Sequence, residues 1–120
     1  MWQGFDRRKF PRTSCPCKIT LYSKDQAEVI SCRTENIGEG GICTVLKEAL
    51  RLFTLVGLEL SLDDSHAPMR CAGRVVWLVG RHSASVSKPK PEEYDTGIEF
   101  VDLKDDEKKR LRTFVKNTIA

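Results

Sequence analysis

The chain has 120 residues, a length that suits one domain. Its 40% apolar residues are enough to build a core and its 31% charged residues a solvated surface, while a net charge of only +3 excludes a generally basic nucleic-acid binder. No window approaches the roughly 18 uninterrupted apolar residues of a membrane span, and "MWQGFDRRKFPR" has no apolar run after its charges, so neither a spanning helix nor a signal peptide is read and a cytoplasmic location is expected.

The charge is unevenly placed. Residues 1–24 carry six Lys/Arg and one acid, whereas the rest of the chain carries fourteen and sixteen. The positive field sits on the N-terminal segment, and a local anion is the implied partner. "DRRKFPR" (Asp6 to Arg12) concentrates it. Arginine pairs bidentately with phosphate and stacks on planar rings, so Arg8 and Arg12, four apart, can grip one compact ligand that carries both groups. Pro11 lacks an N–H and pushes Phe10 towards an extended backbone, which argues against a helix here. Residues 1–12 are read as a flexible basic segment and 13–120 as the folded domain. A solubilising basic tail is the alternative reading.

Six strands come next. "CKITLY" (Cys17 to Tyr22) alternates Ile19 and Leu21 with Lys18 and Thr20. "EVISCRTENI" (Glu28 to Ile37) alternates more weakly, and "GICTVL" (Gly41 to Leu46) follows a glycine turn. "LVGLELSL" (Leu55 to Leu62) sets Leu58, Leu60 and Leu62 on one face. "MRCAGRVVWLV" (Met69 to Val79) is long and β-branched, with Gly73 as a candidate bulge, and "YDTGIEFV" (Tyr94 to Val101) is the sixth. Short strands between turn signals predict a mainly β fold, a small six-stranded antiparallel barrel or a sandwich. The polar connection "GRHSASVSKPKPEE" (Gly80 to Glu93) has no periodicity and reads as a mobile hairpin loop.

The last segment changes period. Leu103, Leu111, Phe114, Val115 and Ile119 share a helical face, with Asp102 or Asp105 placed to cap its start. That helix is expected to close or cover the barrel. The five cysteines, 15, 17, 32, 43 and 71, are an odd number, and three lie in strand-like runs where a reduced thiol acts as a small hydrophobe. They read as core or incidental, with Cys15 the candidate for exposure.

"TENIGEGGICTVL" (Thr34 to Leu46) is the second candidate site. Gly38, Gly40 and Gly41 permit positive φ and close approach of another molecule to the backbone. Asn36 offers an amide that both donates and accepts, as base-edge recognition requires. A hairpin turn with an Asx cap is the alternative.

Taken together, these features resemble the PilZ domain, the bacterial receptor module for cyclic di-GMP. That family carries Arg-x-x-x-Arg in an N-terminal segment and Asp/Asn-x-Ser-x-x-Gly on a barrel strand and turn. Arg8 and Arg12 match the first motif; Asn36 and Gly41 match the ends of the second, and Gly38 stands where the family has serine. "GRVVW" (Gly73 to Trp77) and "TGIEF" (Thr96 to Phe100), followed by a helix, continue the order, so the resemblance covers roughly residues 7–119. It implies a six-stranded split barrel with a C-terminal helix. It also implies a cyclic di-GMP site in which Arg8 and Arg12 bind phosphate and guanine while Asn36, Gly38 and Gly41 line the other side. Arg7 precedes the motif, and relatives with arginine there can bind two intercalated ligand molecules. The implied partners are cyclic di-GMP and an unidentified effector protein; no long nucleic acid, cofactor or metal is expected, and the state is a monomer or weak dimer. Because Gly38 removes a hydroxyl, a divergent PilZ-like domain that acts only through protein contacts is the alternative.

Other chemistries fit less well. Cys15 and Cys17 form Cys-x-Cys, but no CxxC or closely spaced His pair accompanies His66 and His82. Asp63, Asp64, Ser65 and His66 place acid, hydroxyl and imidazole in one turn, where neighbours rarely converge as a triad does, and no enzyme activity is read. Small barrels also bind single-stranded nucleic acid through aromatic platforms, but the acidic remainder of this chain lacks a long phosphate track.

Overall fold

The structure, a computed structural model, describes residues 14–23, 26–62, 64–81 and 91–119. Six strands, β1 (Pro16–Ser23), β2 (Gln26–Ile37), β3 (Gly41–Leu46), β4 (Leu55–Leu60), β5 (Met69–Arg81) and β6 (Glu93–Val101), precede one helix, α1 (Asp105–Ile119). All neighbouring strands are antiparallel, and the sheet closes in the order β1-β2-β3-β6-β5-β4. Closure comes from β1 pairing with β4, Ile19 opposite Leu58, and it removes the exposed sheet edges that invite aggregation.

Alternation decides what enters the barrel. Cys17 and Ile19 of β1, Leu58 and Leu60 of β4, Val75 of β5 and Ile98 of β6 are buried together in one core. The expected helix face takes part in that core. Leu111 is fully buried, and Leu103, Phe114 and Val115 pack against the same cluster. Burial of a leucine such as Leu111 contributes about 1.5–3 kcal/mol, which holds α1 to the barrel.

Four details differ from expectation. Gly73 is not a bulge: the register break in β5 lies between Val75 and Trp77. A Cβ at Gly73 would meet Ile98 Cγ2 at 2.6 Å and Leu58 Cδ1 at 2.8 Å, so the glycine serves close packing. The helix is not capped by Asp102 or Asp105. Glu107 reaches back to accept the Lys104 N–H at 3.0 Å, the reciprocal half of a capping box, and Asp102 instead turns the chain at φ 55°. The fourth strand stops at Leu60, although Leu62 remains buried. Cys15 is buried rather than exposed: its N–H donates to Thr34 Oγ1 and its carbonyl accepts the Thr34 N–H, both at 3.0 Å. Most of the 80–93 connection lies outside the described residues. Its visible ends are strand termini, with the Glu92 N–H donating to the Arg81 carbonyl at 3.0 Å.

Candidate functional site

The β2–β3 turn holds the barrel half of the predicted site. Near its end β2 carries a bulge, a register shift between Thr34 and Asn36 that leaves Glu35 as the extra residue. A bulge re-aims the residues on its C-terminal side. Here it sets Asn36 opposite Cys43, which pairs with Gly97, which pairs in turn with Trp77. Asn36 Oδ1 accepts the N–H of the next residue, Ile37, at 3.1 Å, one residue nearer than the N–H an Asx turn would engage, so it is the carbonyl end of this amide that makes the local contact.

Beyond Ile37 the turn is fastened on both sides. The Gly38 N–H donates to the Gly41 carbonyl at 3.0 Å, and the Phe100 N–H of β6 donates to the Gly40 carbonyl at 2.9 Å. Neither Gly38 nor Gly40 lies in the left-handed region, and a Cβ on either would meet nothing within 4 Å. The positive-φ reason for these glycines therefore does not apply. What they provide is bare backbone on an open surface. Gly41, by contrast, is buried where β3 begins, opposite Glu99 of β6.

The electrostatics around the turn are largely internally balanced. Arg112 of α1 donates to Glu39 at 2.7 Å, and Arg74 of β5 pairs with Glu99 at 3.5 Å. Gly38, Glu39, Arg112, Val115 and Lys116 line a groove of ≈ 460 Å³ between turn and helix. The structure thus brings Asn36, Gly38 and Gly41 together; Arg7, Arg8 and Arg12 lie outside the described residues. Sequence reasoning passed over Glu39–Arg112 and over Trp77, whose indole lies across Gly97 in the row that starts at Asn36. A large ring opposite a strand glycine was the available signal for the second.

The Asp64–His66 turn forms a clamp. Arg110 of α1 donates through Nε and Nη2 to the two Asp64 oxygens, the latter at 2.8 Å, and through Nη2 to the Ala67 carbonyl at 2.6 Å. That guanidinium holds the Asp64 carboxyl well below the usual carboxylate range. The His66 Nδ1 lies 2.8 Å from the Asp64 backbone oxygen, so the imidazole is tied to its own turn and not aimed at Ser65. Among the described residues, no three His, Cys, Asp or Glu side chains gather as metal ligands, and no helix is long and apolar enough to cross a membrane.

The PilZ domain profile matches residues 6–117, nearly the whole chain. The chain belongs to the PilZ domain family. Three solved structures share the fold of this PilZ domain. The Bacillus subtilis inhibitor of motility MotI/DgrA matches with a TM-score of 0.66 and 18% identity over 95% of this chain and 52% of that one. MrkH of K. pneumonia gives 0.67 and 15% over 87% and 45%. The PilZ domain with c-di-GMP of YcgR from Escherichia coli gives 0.62 and 15% over 93% and 91%. The chain spans about half the length of the first two. No curated protein sequence matches it.

Proposed function

We propose that this PilZ domain is a bacterial, cytoplasmic, non-enzymatic receptor for cyclic di-GMP that passes its signal to a protein partner by surface contact. Arg8 and Arg12 grip phosphate and guanine, Arg7 adds a third cation, and Asn36, Gly38 and Gly41 form the opposing floor. The observation that carries this reading is the bare, fastened Gly38–Gly41 turn beside Asn36, in a chain whose unbalanced positive charge lies in the Arg7–Arg12 segment. Arg112 and Arg74 are already paired with carboxylates, so the basic segment is the natural source of cations for a two-phosphate ligand. The E. coli YcgR PilZ domain, similar in fold, was determined with c-di-GMP. Hydrogen bonds to charged partners contribute about 1.5–3 kcal/mol each, so two or three arginines with ring stacking reach about −8 kcal/mol, near micromolar, after ordering costs.

Gly38 favours a second reading, a divergent domain that binds a protein and no nucleotide, because the family's serine hydroxyl is missing there. Isothermal titration separates the two. The receptor gives heat with cyclic di-GMP in preference to GMP and GTP, and a stoichiometry near two assigns Arg7 its role. Silence at about a hundred micromolar ligand, well above the expected dissociation constant, leaves the protein-binding reading.

A further inference from the structure

Barrel closure leaves one stretch of edge uncovered. β2 is 12 residues long, but its pairing with β3 spans only residues 34–37. Residues 26–33 pair with β1, and among the described residues no strand lies along their other side. Three contacts fix which backbone groups face that side. The Thr34 N–H donates to the Cys15 carbonyl, so Thr34 turns its backbone groups towards β1. The Pro16 carbonyl instead accepts the Ser61 N–H, away from β2, so its register partner Arg33 faces away from β1. The Arg33 carbonyl accordingly accepts a hydrogen bond from Thr44 Oγ1 of β3 at 2.8 Å. Backbone direction alternates along an antiparallel strand. Ser31, Val29 and Ala27 therefore point N–H and C=O at the uncovered side, while Cys32, Ile30 and Glu28 bond β1.

A slot of ≈ 350 Å³ runs along this edge. Ile30, Cys32 and Arg33 of β2 form one wall and Val45 and Leu46 of β3 the other, with Lys47, Glu48 and Glu93 at the end where β3 stops. Free edges of soluble proteins are usually blunted by Lys, Pro or a bulge. Here the side chains on the three outward-bonding residues are those of Ala27, Val29 and Ser31, all exposed, and the bulge at Glu35 comes after the uncovered stretch.

We propose that an extended segment of the partner protein adds to this edge as a strand and fills the slot between β2 and β3; this rests on the reading that the domain signals to a protein. The segment's backbone pairs with Ser31, Val29 and Ala27, and its alternate side chains pack on Ile30, Cys32 and Leu46. Glu48 and Glu93 outnumber Lys47 at the open end, and Glu28 follows Ile30 on the same face of β2, so the segment carries a basic residue there. A second copy of this chain fits less well. It would bring β1 along with β2, two strands into a slot that β3 bounds on the far side.

Hydrogen exchange on the folded wild type, which needs no variant, tests the edge itself. The Val29 and Ser31 amides are expected to exchange at least about tenfold faster than those of Ile30 and Cys32, which β1 protects. The docking probe is the peptide acetyl-KTVTVTK-amide. It is expected to slow exchange at Val29 and Ser31 and to leave Ile30 and Cys32 unchanged, while acetyl-ETVTVTE-amide binds several-fold more weakly. Val29→Pro removes one N–H from the uncovered side and none from the β1 ladder, so it is expected to keep the fold and weaken peptide binding at least about tenfold. Equal exchange at Val29 and Ile30, no slowing by the first peptide, equal binding of the two peptides, or a folded Val29→Pro variant that binds as wild type does overturns the proposal. So does self-association that Val29→Pro abolishes, which gives the edge to a second copy. None of these readouts involves cyclic di-GMP: silence in the nucleotide titration overturns the receptor reading and leaves this one standing, and the reverse also holds.

Discussion

Glu39, at the tip of the β2–β3 turn, accepts a hydrogen bond from Arg112 of α1 at 2.7 Å, which ties the turn to a helix 73 residues further along the chain. Both side chains are more than half exposed, so the pair contributes at most about 1 kcal/mol to stability. Its larger effect is on the turn's charge. Without Arg112 a bare carboxylate faces whatever anion the turn receives. Arg112→Ala is expected to leave the melting temperature nearly unchanged and to weaken cyclic di-GMP binding by about 0.5–1 kcal/mol, an effect that shrinks in high salt. Adding Glu39→Gln restores the affinity if the effect is electrostatic. If the double variant stays weak, the tether itself positions the turn.

Gly38→Ser tests the missing hydroxyl. The backbone at Gly38 is not left-handed and a Cβ meets nothing within 4 Å, so serine brings neither strain nor clash. The melting temperature should hold, and affinity should rise by about 0.5–1.5 kcal/mol, a few-fold to tenfold. Unchanged affinity in titration would place the ligand away from this turn.

The arginine segment has its own control. Arg8→Ala and Arg12→Ala are each expected to weaken cyclic di-GMP binding by about 2 kcal/mol or more, because each leaves ligand charge or a base edge unpaired. Lys9→Ala, outside the spaced pair, should matter less. Equal losses in all three titrations mean diffuse charge and no specific grip.

The barrel was legible in the sequence because its inward residues alternate. Ile19, Leu58 and Leu60 marked their strands, and the Leu111–Phe114–Val115 spacing marked the helix. Two features escaped for physical reasons. Val75, Val76 and Trp77 are all apolar, so a one-residue slip leaves no trace in the pattern, and a strand glycine such as Gly73 signals either a bulge or close packing. The burial of Cys15 depends on Thr34, nineteen residues away, which no local window contains. At the candidate site, the turn's place was readable from Asn36 and its glycines. The row through Cys43 and Gly97 to Trp77 was not, because two bulges set its register.

Asp64 and Arg110 predict an acid response. The Arg110 hydrogen bonds depress the folded-state value of Asp64, so the pair's stabilisation is complete above the ordinary carboxylate range near pH 4 and fades as pH falls towards the lower folded-state value. At neutral pH, Asp64→Asn should cost about 1–2 kcal/mol, with partial exposure taken into account. Urea midpoints for wild type and variant should converge steadily below pH 4. A gap that stays constant there would mean the carboxylate's charge is not what holds the clamp.

Gly97→Ala probes the row that leads from Asn36. The Trp77 indole lies directly on the Gly97 Cα, and a methyl there would overlap Nε1 and Cε2 and meet Cδ1 at 2.7 Å. The ring must swing away, because Gly97 is fixed between Cys43 and Trp77 in the ladder and cannot retreat without breaking pairs on both sides. Overpacking of this kind typically costs about 1–3 kcal/mol. The melting temperature should fall, and tryptophan emission should shift red as the indole gains water. The chain's other tryptophan, Trp2, is replaced by Phe in both proteins so that Trp77 alone reports. Cyclic di-GMP affinity then separates two roles for the ring. If binding weakens by more than the about 0.5–1 kcal/mol expected of Arg112→Ala, the indole helps form the surface next to Asn36. If binding holds while the fold loosens, Trp77 is a cover for Cys43 and the site ends at the turn.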